Sequence, residues 1–418
     1  MLNKQAIILA GIFFLSCLNF LFFCVVFLGQ QYLPPPFFYN ANDTFMDFYN
    51  TLYWSGQDGI YDVWRSIYPP LNFLFLKVYQ LLFIEYFSDV LDGFSIRALN
   101  ANNIIPLFII YAISIAASVL ISYKNFVNWM YKFIIFTIFL LSPAFLIALE
   151  RGNLIILSIP VLSWYVFSSS QINRSIALAF LVNIKPYFIV LYIFQLINRK
   201  SNEQSRDFLF LAPIFSLILF LITGLLLDQK FYLMPINIFG FAASKVLLAP
   251  AEALSFSSTI TSFGYFRGLV TEIGIPPIIG HLTNFIVLIY LAKIIIIIYR
   301  EKLNFDDLNI FSIIFLTNYS TSTGGYGLLF YIPILSLFYK KREWVLFFII
   351  IIFMYVGLWD FIPIYHFSAG NISSYLSGEV VVINSYISLG SIFRPIANFI
   401  VLLLFFKSLN RRYSYASI

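Results

Sequence analysis

The sequence predicts an all-α integral membrane protein, a single polytopic domain over residues 1–418 with about ten to twelve transmembrane helices. Three observations carry that expectation. The 418-residue chain is 61% hydrophobic and only 11% charged, where a soluble domain carries about 25% charged residues. Its mean hydropathy is +0.89, and apolar runs recur along the whole length, leaving no room for a soluble domain of any size. The lysines and arginines between those runs fall mostly on alternate sides, as the positive-inside bias of membrane proteins requires.

The first run, from about Ile7 to Gly29, is too long for a signal-peptide core and lacks a small-residue cleavage site, so it is expected to stay as a first helix. Further spans are expected near 104–122, 133–149, 154–169, 208–227, 278–299, 309–321, 327–339, 343–360 and 389–407. Two segments are ambiguous between full spans and re-entrant or amphipathic helices. One is 71–87, interrupted by Lys77 and Glu85; the other is 175–197, broken at Lys185-Pro186. With the N-terminus inside and ten crossings, most of the 25 basic residues lie on inner loops. Lys124, Lys132, Arg174, Arg300, Lys340, Lys341, Arg411 and Arg412 are among them. Both termini are then cytoplasmic, the lipid bilayer is the first partner, and the three long polar segments, 30–103, 228–277 and 361–388, lie outside with any chemistry they carry.

The net charge of +6 follows from this loop bias and implies no nucleic-acid partner. Cys17 and Cys24 share the first apolar run, and His281 and His366 stand apart. No disulfide framework, metal site or cofactor is expected from them. Asp58 and Asp62 are two unsupported carboxylates and do not define a cation site. Gly324-Gly325 reads as a tight turn without a phosphate-loop context.

The first outer segment is where acidic and aromatic residues concentrate. Asp43 and Asp47 are four apart and share one face if helical; they are either solvated loop acids and helix caps or a working carboxylate. Tyr49, Tyr53, Trp54, Tyr61, Trp64 and Tyr68 follow. Such aromatics suit a membrane interface, which accounts for most of them; they also suit a sugar, whose C–H face packs on an aromatic ring. A carboxylate among them is placed to take a proton from an acceptor hydroxyl.

Four stretches, in order, carry a resemblance. They are Asp47-Phe48-Tyr49 through Gly56 and Tyr61 to Tyr68-Pro69-Pro70, then Arg151-Gly152-Asn153, then Lys185-Pro186-Tyr187, and more loosely Ser257 to Arg267. Together they resemble the GT-C superfamily of membrane glycosyltransferases, and within it glycosyltransferase family 87, the polyprenol-phosphate-mannose-dependent mannosyltransferases. Two departures stand out. Phe188 replaces the family's second proline, and Ser320-Thr321-Ser322-Thr323-Gly324-Gly325-Tyr326 lacks the Pro, Trp and His of its late segment.

The resemblance implies a GT-C-like fold and transfer of a mannose-like hexose, with inversion, from a polyprenyl-phosphate donor to a lipid- or glycan-linked acceptor at the outer face of the cytoplasmic membrane. Asp47 is the expected base on motif position, with Asp43 the near alternative. Arg151, Lys185, Arg267 and Arg394 are the candidate donor-phosphate cations, and Tyr49, Trp54, Tyr61, Tyr68 and Asn153 the candidate sugar and acceptor contacts. Each cation has a plainer reading: Lys185 snorkelling to the interface, Arg267 as a loop charge, Arg394 as an interface anchor, Arg151 paired with Glu150. Two other functions fit the hydropathy. An envelope polysaccharide polymerase or ligase tends to rely on arginines in late loops. A lipid-linked sugar flippase or transporter usually shows internal repeats, which are not evident here.

Overall fold

The computed structural model describes residues 4–31, 44–84, 92–124, 128–198, 204–243, 277–301, 303–319, 325–366, 370–373, 380–383 and 386–414. The chain starts with α1 (Lys4–Gln30), a continuous apolar helix. Three short helices follow, α2 (Met46–Ser55), α3 (Pro70–Phe83) and α4 (Gly93–Leu99). All three fall within 30–103, the first of the long polar segments. Next come α5 (Ile105–Ser122), α6 (Trp129–Leu140), α7 (Pro143–Arg151), α8 (Ser158–Phe167), α9 (Gln171–Ile184), α10 (Ile189–Ile197), α11 (Gln204–Leu227) and α12 (Met234–Ala243). The remainder holds α13 (Pro277–Arg300), α14 (Phe305–Tyr319), α15 (Tyr331–Lys340), α16 (Trp344–Ile350) and α17 (Leu389–Ser414).

Four helical stretches among the described residues are long and apolar enough to cross a membrane: Ala6–Gly29, Asn102–Ser122, Arg206–Leu227 and Trp344–Phe361. Their outward faces are apolar as well. Only 22% of the α1 window and 17% of the α11 window is buried inside the protein, and Phe14, Leu28 and Leu225 are among the exposed side chains. Helices hydrophobic all round require a hydrocarbon solvent.

Several expected spans are interrupted. The run at 133–149 folds as α6 and α7, bent by 51°. Ser142 explains the break: its Oγ accepts from Phe145 N at 3.2 Å, and Pro143 starts the new helix where a missing N–H costs nothing. The segment 175–197 breaks at the position its proline indicates. Pro186 forces Lys185 out of the helical region to φ −143°, ψ 117°; a 3-10 turn over Pro186–Phe188 then leads into α10. α9 packs against α8 and α11, and α11 also against α3.

The segment between α16 and α17 is not purely helical. It contains β1 (Pro363–His366), β2 (Gly370–Ser373), β3 (Val380–Ile383) and β4 (Tyr386–Ser388), paired antiparallel as β1 with β4 and β2 with β3. The β-branched run Val380–Ile383 accounts for the second ladder. At the start of α14, buried Asp307 gathers Lys341 at 2.5 Å and Arg412 at 2.9 Å. One carboxylate thereby ties α14, the end of α15 and the basic end of α17 together.

Candidate functional site

Asp47 sits in the first turn of α2, where the helix dipole favours an anion. The chain reaches it through Phe45, held in the left-handed region at φ 63°. Phe45 N donates to Glu150 O at 2.6 Å, Thr44 Oγ1 to Glu150 Oε1 at 2.9 Å, and Arg97 Nη1 to Thr44 O at 2.6 Å. These bonds dock the start of α2 on the end of α7.

The end of α7 is shaped by Gly152. It adopts φ 64°, ψ 34°, and its N–H bonds Leu149 O while Asn153 N bonds Ala148 O, closing a Schellman motif. A Cβ at Gly152 would lie 2.7 Å from Phe48 Cβ, so glycine is required both for the turn and for the approach of α2. That turn aims its flanking side chains at Asp47. Arg151 Nη2 donates to Oδ1 at 2.6 Å and Asn153 Nδ2 to Oδ2 at 2.8 Å. The Asn153 Oδ1 accepts from Ile155 N at 3.0 Å, which fixes which end of the amide faces the carboxylate. Each Asp47 oxygen keeps lone-pair capacity for a further donor.

The third stretch arrives from the α9 break. Lys185 is 7% exposed, and its Nζ lies 4.0 Å from the Tyr68 ring centroid. The ring is the partner of this ammonium; no hydrogen-bond acceptor within reach of Nζ is found among the described residues. Asp47 is the charge that acts on it. Asn72, in the first turn of α3, donates to Ile184 O at 2.9 Å and satisfies a carbonyl that the proline break orphans. Burial first, and Asp47 second, push the Tyr68 hydroxyl far above the ordinary phenol range, so it remains protonated. Asp47, Thr51, Tyr68, Asn72, Asn153 and Lys185 line one small cleft of about 10 Å³, about the size of one water.

A larger apolar groove of about 370 Å³ is lined by Leu178, Val182, Ile189, Leu217 and Phe220 together with Pro69 and Pro186. Those prolines directly follow Tyr68 and Lys185 in the chain, so the two cavities are lined by neighbouring residues at two points.

Of the residues singled out in the sequence, the fold brings together Asp47, Arg151, Asn153, Tyr68 and Lys185. Tyr49 and Tyr61 do not line a surface a sugar could reach. Both are fully buried, the Tyr49 hydroxyl donating to Asn100 O at 2.6 Å and that of Tyr61 to Tyr68 O at 3.1 Å. Trp54 is half-buried and stacks on Trp64 at 5.9 Å, away from the cleft lining. Arg394 is not delivered to Asp47 either: Nη1 binds Asp360 Oδ1 at 2.6 Å and Nη2 binds Oδ2, in a buried bidentate pair. Arg151 pairs with Asp47 rather than with its neighbour Glu150, whose carboxylate accepts from Thr44. Asp43, Arg267 and the Ser257 to Arg267 stretch lie outside the described residues.

Thr51, Asn72 and Tyr326 were not indicated by the sequence. Tyr326 lies on the 3-10 turn Gly325–Phe330, which packs on α7. Only the tyrosine at the end of the Ser320–Tyr326 segment hinted at it. Asp62 is held below the usual carboxylate range by its hydrogen bond to Lys230, 2.5 Å away, and Asp58 accepts from Gln229. Comparison with known proteins found no matching family model, no matching curated protein and no matching solved structure.

Proposed function

We propose that this chain is a membrane glycosyltransferase that moves a mannose-like hexose from a polyprenyl-phosphate donor to a lipid- or glycan-linked acceptor, with Asp47 as base. The observation that carries the reading is the buried Lys185 ammonium, without a hydrogen-bond acceptor among the described residues, sharing one cleft with an oriented carboxylate and followed in the chain by a proline that lines an apolar groove. Burying a charge costs several kcal/mol unless it is paired. A polyprenyl-phosphate sugar suits these features: its chain fits the groove, its phosphate meets Lys185, and the anomeric carbon of its sugar lies toward Asp47.

The chemistry balances without a cofactor. Asp47 takes the proton of the acceptor hydroxyl while that oxygen bonds the anomeric carbon from the face opposite the phosphate. The bond from carbon to phosphate oxygen breaks, its electron pair leaves with the phosphate, and Lys185 stabilises the charge gained. Arg151 and Asn153 hold the carboxylate in place and leave it a lone pair for the acceptor. The one-water cleft implies that it widens to admit the sugar. The same proposal includes the GT-C-like arrangement of about ten crossings, both termini cytoplasmic and the cleft at the outer face.

The test is transfer from a panel of radiolabelled polyprenyl-phosphate sugars into membrane lipid extract by purified protein, comparing wild type with Asp47→Asn and Asp43→Asn. Loss of transfer in Asp47→Asn alone, with folding and donor binding kept, supports the reading. Full activity in Asp47→Asn sinks Asp47 as base. No transfer from any donor moves the function to a polymerase or transporter.

A further inference from the structure

We infer that Asn72 reads the C2 hydroxyl of the transferred hexose, its side-chain oxygen accepting a hydrogen bond from that hydroxyl and so selecting among sugars that differ at C2. The inference rests on the glycosyltransferase reading of the same cleft and adds to it a specificity-determining residue.

Asn72 is 6% exposed and lines the one-water cleft together with Asp47 and Lys185. One end of its amide is fixed by the backbone. Nδ2 donates to Ile184 O at 2.9 Å, with Pro69 O at 3.4 Å and Asn183 O at 3.5 Å around it. A flipped amide would set its oxygen against those three carbonyl oxygens, so the N–H end must lie there. Oδ1 is thereby turned away from the carbonyls of the α9 break, and it accepts from no described residue. The oxygen is what this side chain offers to the cleft it lines.

A buried amide oxygen is rarely left without a donor from protein, water or ligand. The cleft of about 10 Å³ has room for one water, and a ligand group displaces such a water without loss only if it reproduces the hydrogen bond. Of the groups the reaction brings here, most cannot. The phosphate diester carries no proton, and its charged oxygens are repelled by Oδ1. The acceptor hydroxyl has a single proton, and that proton goes to Asp47. What remains is the donor sugar. Its anomeric carbon, set between Lys185 and Asp47, is bonded within the ring to an oxygen that has no hydrogen and to C2, which bears a hydroxyl. The C2 hydroxyl is therefore the nearest group able to donate to Asn72. C2 is also the carbon at which mannose and glucose differ, so one fixed acceptor at this position separates them.

The test is equilibrium binding, with no acceptor present, of three polyprenyl-phosphate sugars by the purified full-length protein in detergent: the mannosyl, glucosyl and 2-deoxy donors. Wild type is expected to bind the mannosyl donor about tenfold more tightly than the 2-deoxy donor, and the glucosyl donor no better than the 2-deoxy. In Asn72→Ala the gap between mannosyl and 2-deoxy closes. A merely structural role, through the bonds to the α9 break, would lower the thermal midpoint and weaken all the donors alike, leaving the gap open. A gap that persists in Asn72→Ala therefore overturns the inference while the transferase reading stands. So does a wild type that binds the 2-deoxy or the glucosyl donor as tightly as the mannosyl, a result that needs no variant to fold. Failure of wild type to bind any of the three donors overturns the transferase reading itself, and the role of Asn72 with it.

Discussion

Substituting Gly152 by alanine tests whether the turn after α7 controls Asp47. Two costs add. A residue with a Cβ in the left-handed region is disfavoured by about 1–2 kcal/mol, and Gly152 sits there at φ 64°. The new methyl would also stand 2.7 Å from Phe48 Cβ, an atom bonded directly to the α2 backbone and unable to swing aside. Overpacking of this kind costs about 1–3 kcal/mol, giving roughly 2–5 kcal/mol in all. Relieving the overlap to an ordinary contact of about 3.5 Å opens the α2–α7 junction by roughly 0.8 Å. Asp47 adjoins Phe48, whereas Arg151 and Asn153 stay with α7, so the opening is taken from the two bonds that orient the carboxylate. Misplacement on the order of 1 Å costs a reaction up to about a hundredfold in rate. The measurements are the thermal midpoint in detergent and the rate of the proposed sugar transfer, with Gly240→Ala as control, since nothing lies within 4 Å of a Cβ there. Gly152→Ala is expected to melt lower and turn over at least tenfold more slowly, and Gly240→Ala to do neither. A Gly152→Ala protein with the control's midpoint and full rate would refute the idea that this turn holds the site.

Three further outcomes are expected. Arg151→Lys keeps the charge but not the planar fork; with Arg151 about a quarter exposed, the fold should persist while kcat falls by on the order of tenfold, and an unchanged kcat would remove Arg151 from the orienting set. Arg394→Leu strands the Asp360 carboxylate in the core at a cost of about 3–5 kcal/mol; adding Asp360→Leu should recover most of it, and a double variant no more stable than the single would argue against the pair. Asp92 caps α4 by accepting from Ser95 N at 2.8 Å, so Asp92→Ala should cost about 1 kcal/mol. That bond and the Ser95 hydroxyl hold its carboxyl below the usual range. The cap's contribution is therefore complete above the unfolded value of about 3.9 and fades as pH falls through the lower folded value. A stability difference between wild type and Asp92→Ala that fails to shrink over that acid range would contradict the capping role.

The long helices were legible because hydropathy over about 20 residues reports them directly, as at α1, α5 and α11. The Lys185-Pro186 break was legible too, since proline acts on its own backbone and on the residue before it. The break within 133–149 was harder: Ser142-Pro143 marks a helix start, but an apolar window averages over it. In the candidate site, Asp47, Arg151, Asn153 and Lys185 were reached through the motif stretches of the family resemblance, and Lys185 also as a charge before a proline in an apolar run. What remained hidden was partnership. Tyr49 and Tyr61 read as surface aromatics because nothing local to them reveals burial or the carbonyls of Asn100 and Tyr68 that accept from them. Arg394 read as a phosphate ligand because Asp360, 34 positions earlier, belongs to another element.

The α9 break bears on how the chain is made. α9 has 14 residues and α10 has 9, each shorter than the roughly 20 that cross a bilayer, and α9 carries Arg174 and Asn183 along its length. As it leaves the ribosome, such a segment is a poor candidate for release into lipid on its own. Its partners are α8, already synthesised, and α11, still to come; the Asn183 amide reaches across to Ser216 O of α11 at 3.1 Å. Insertion of α9 thus waits on a helix translated later, and nascent chains truncated before Gln204 should leave α9 accessible to water-borne labelling reagents that the full-length protein excludes.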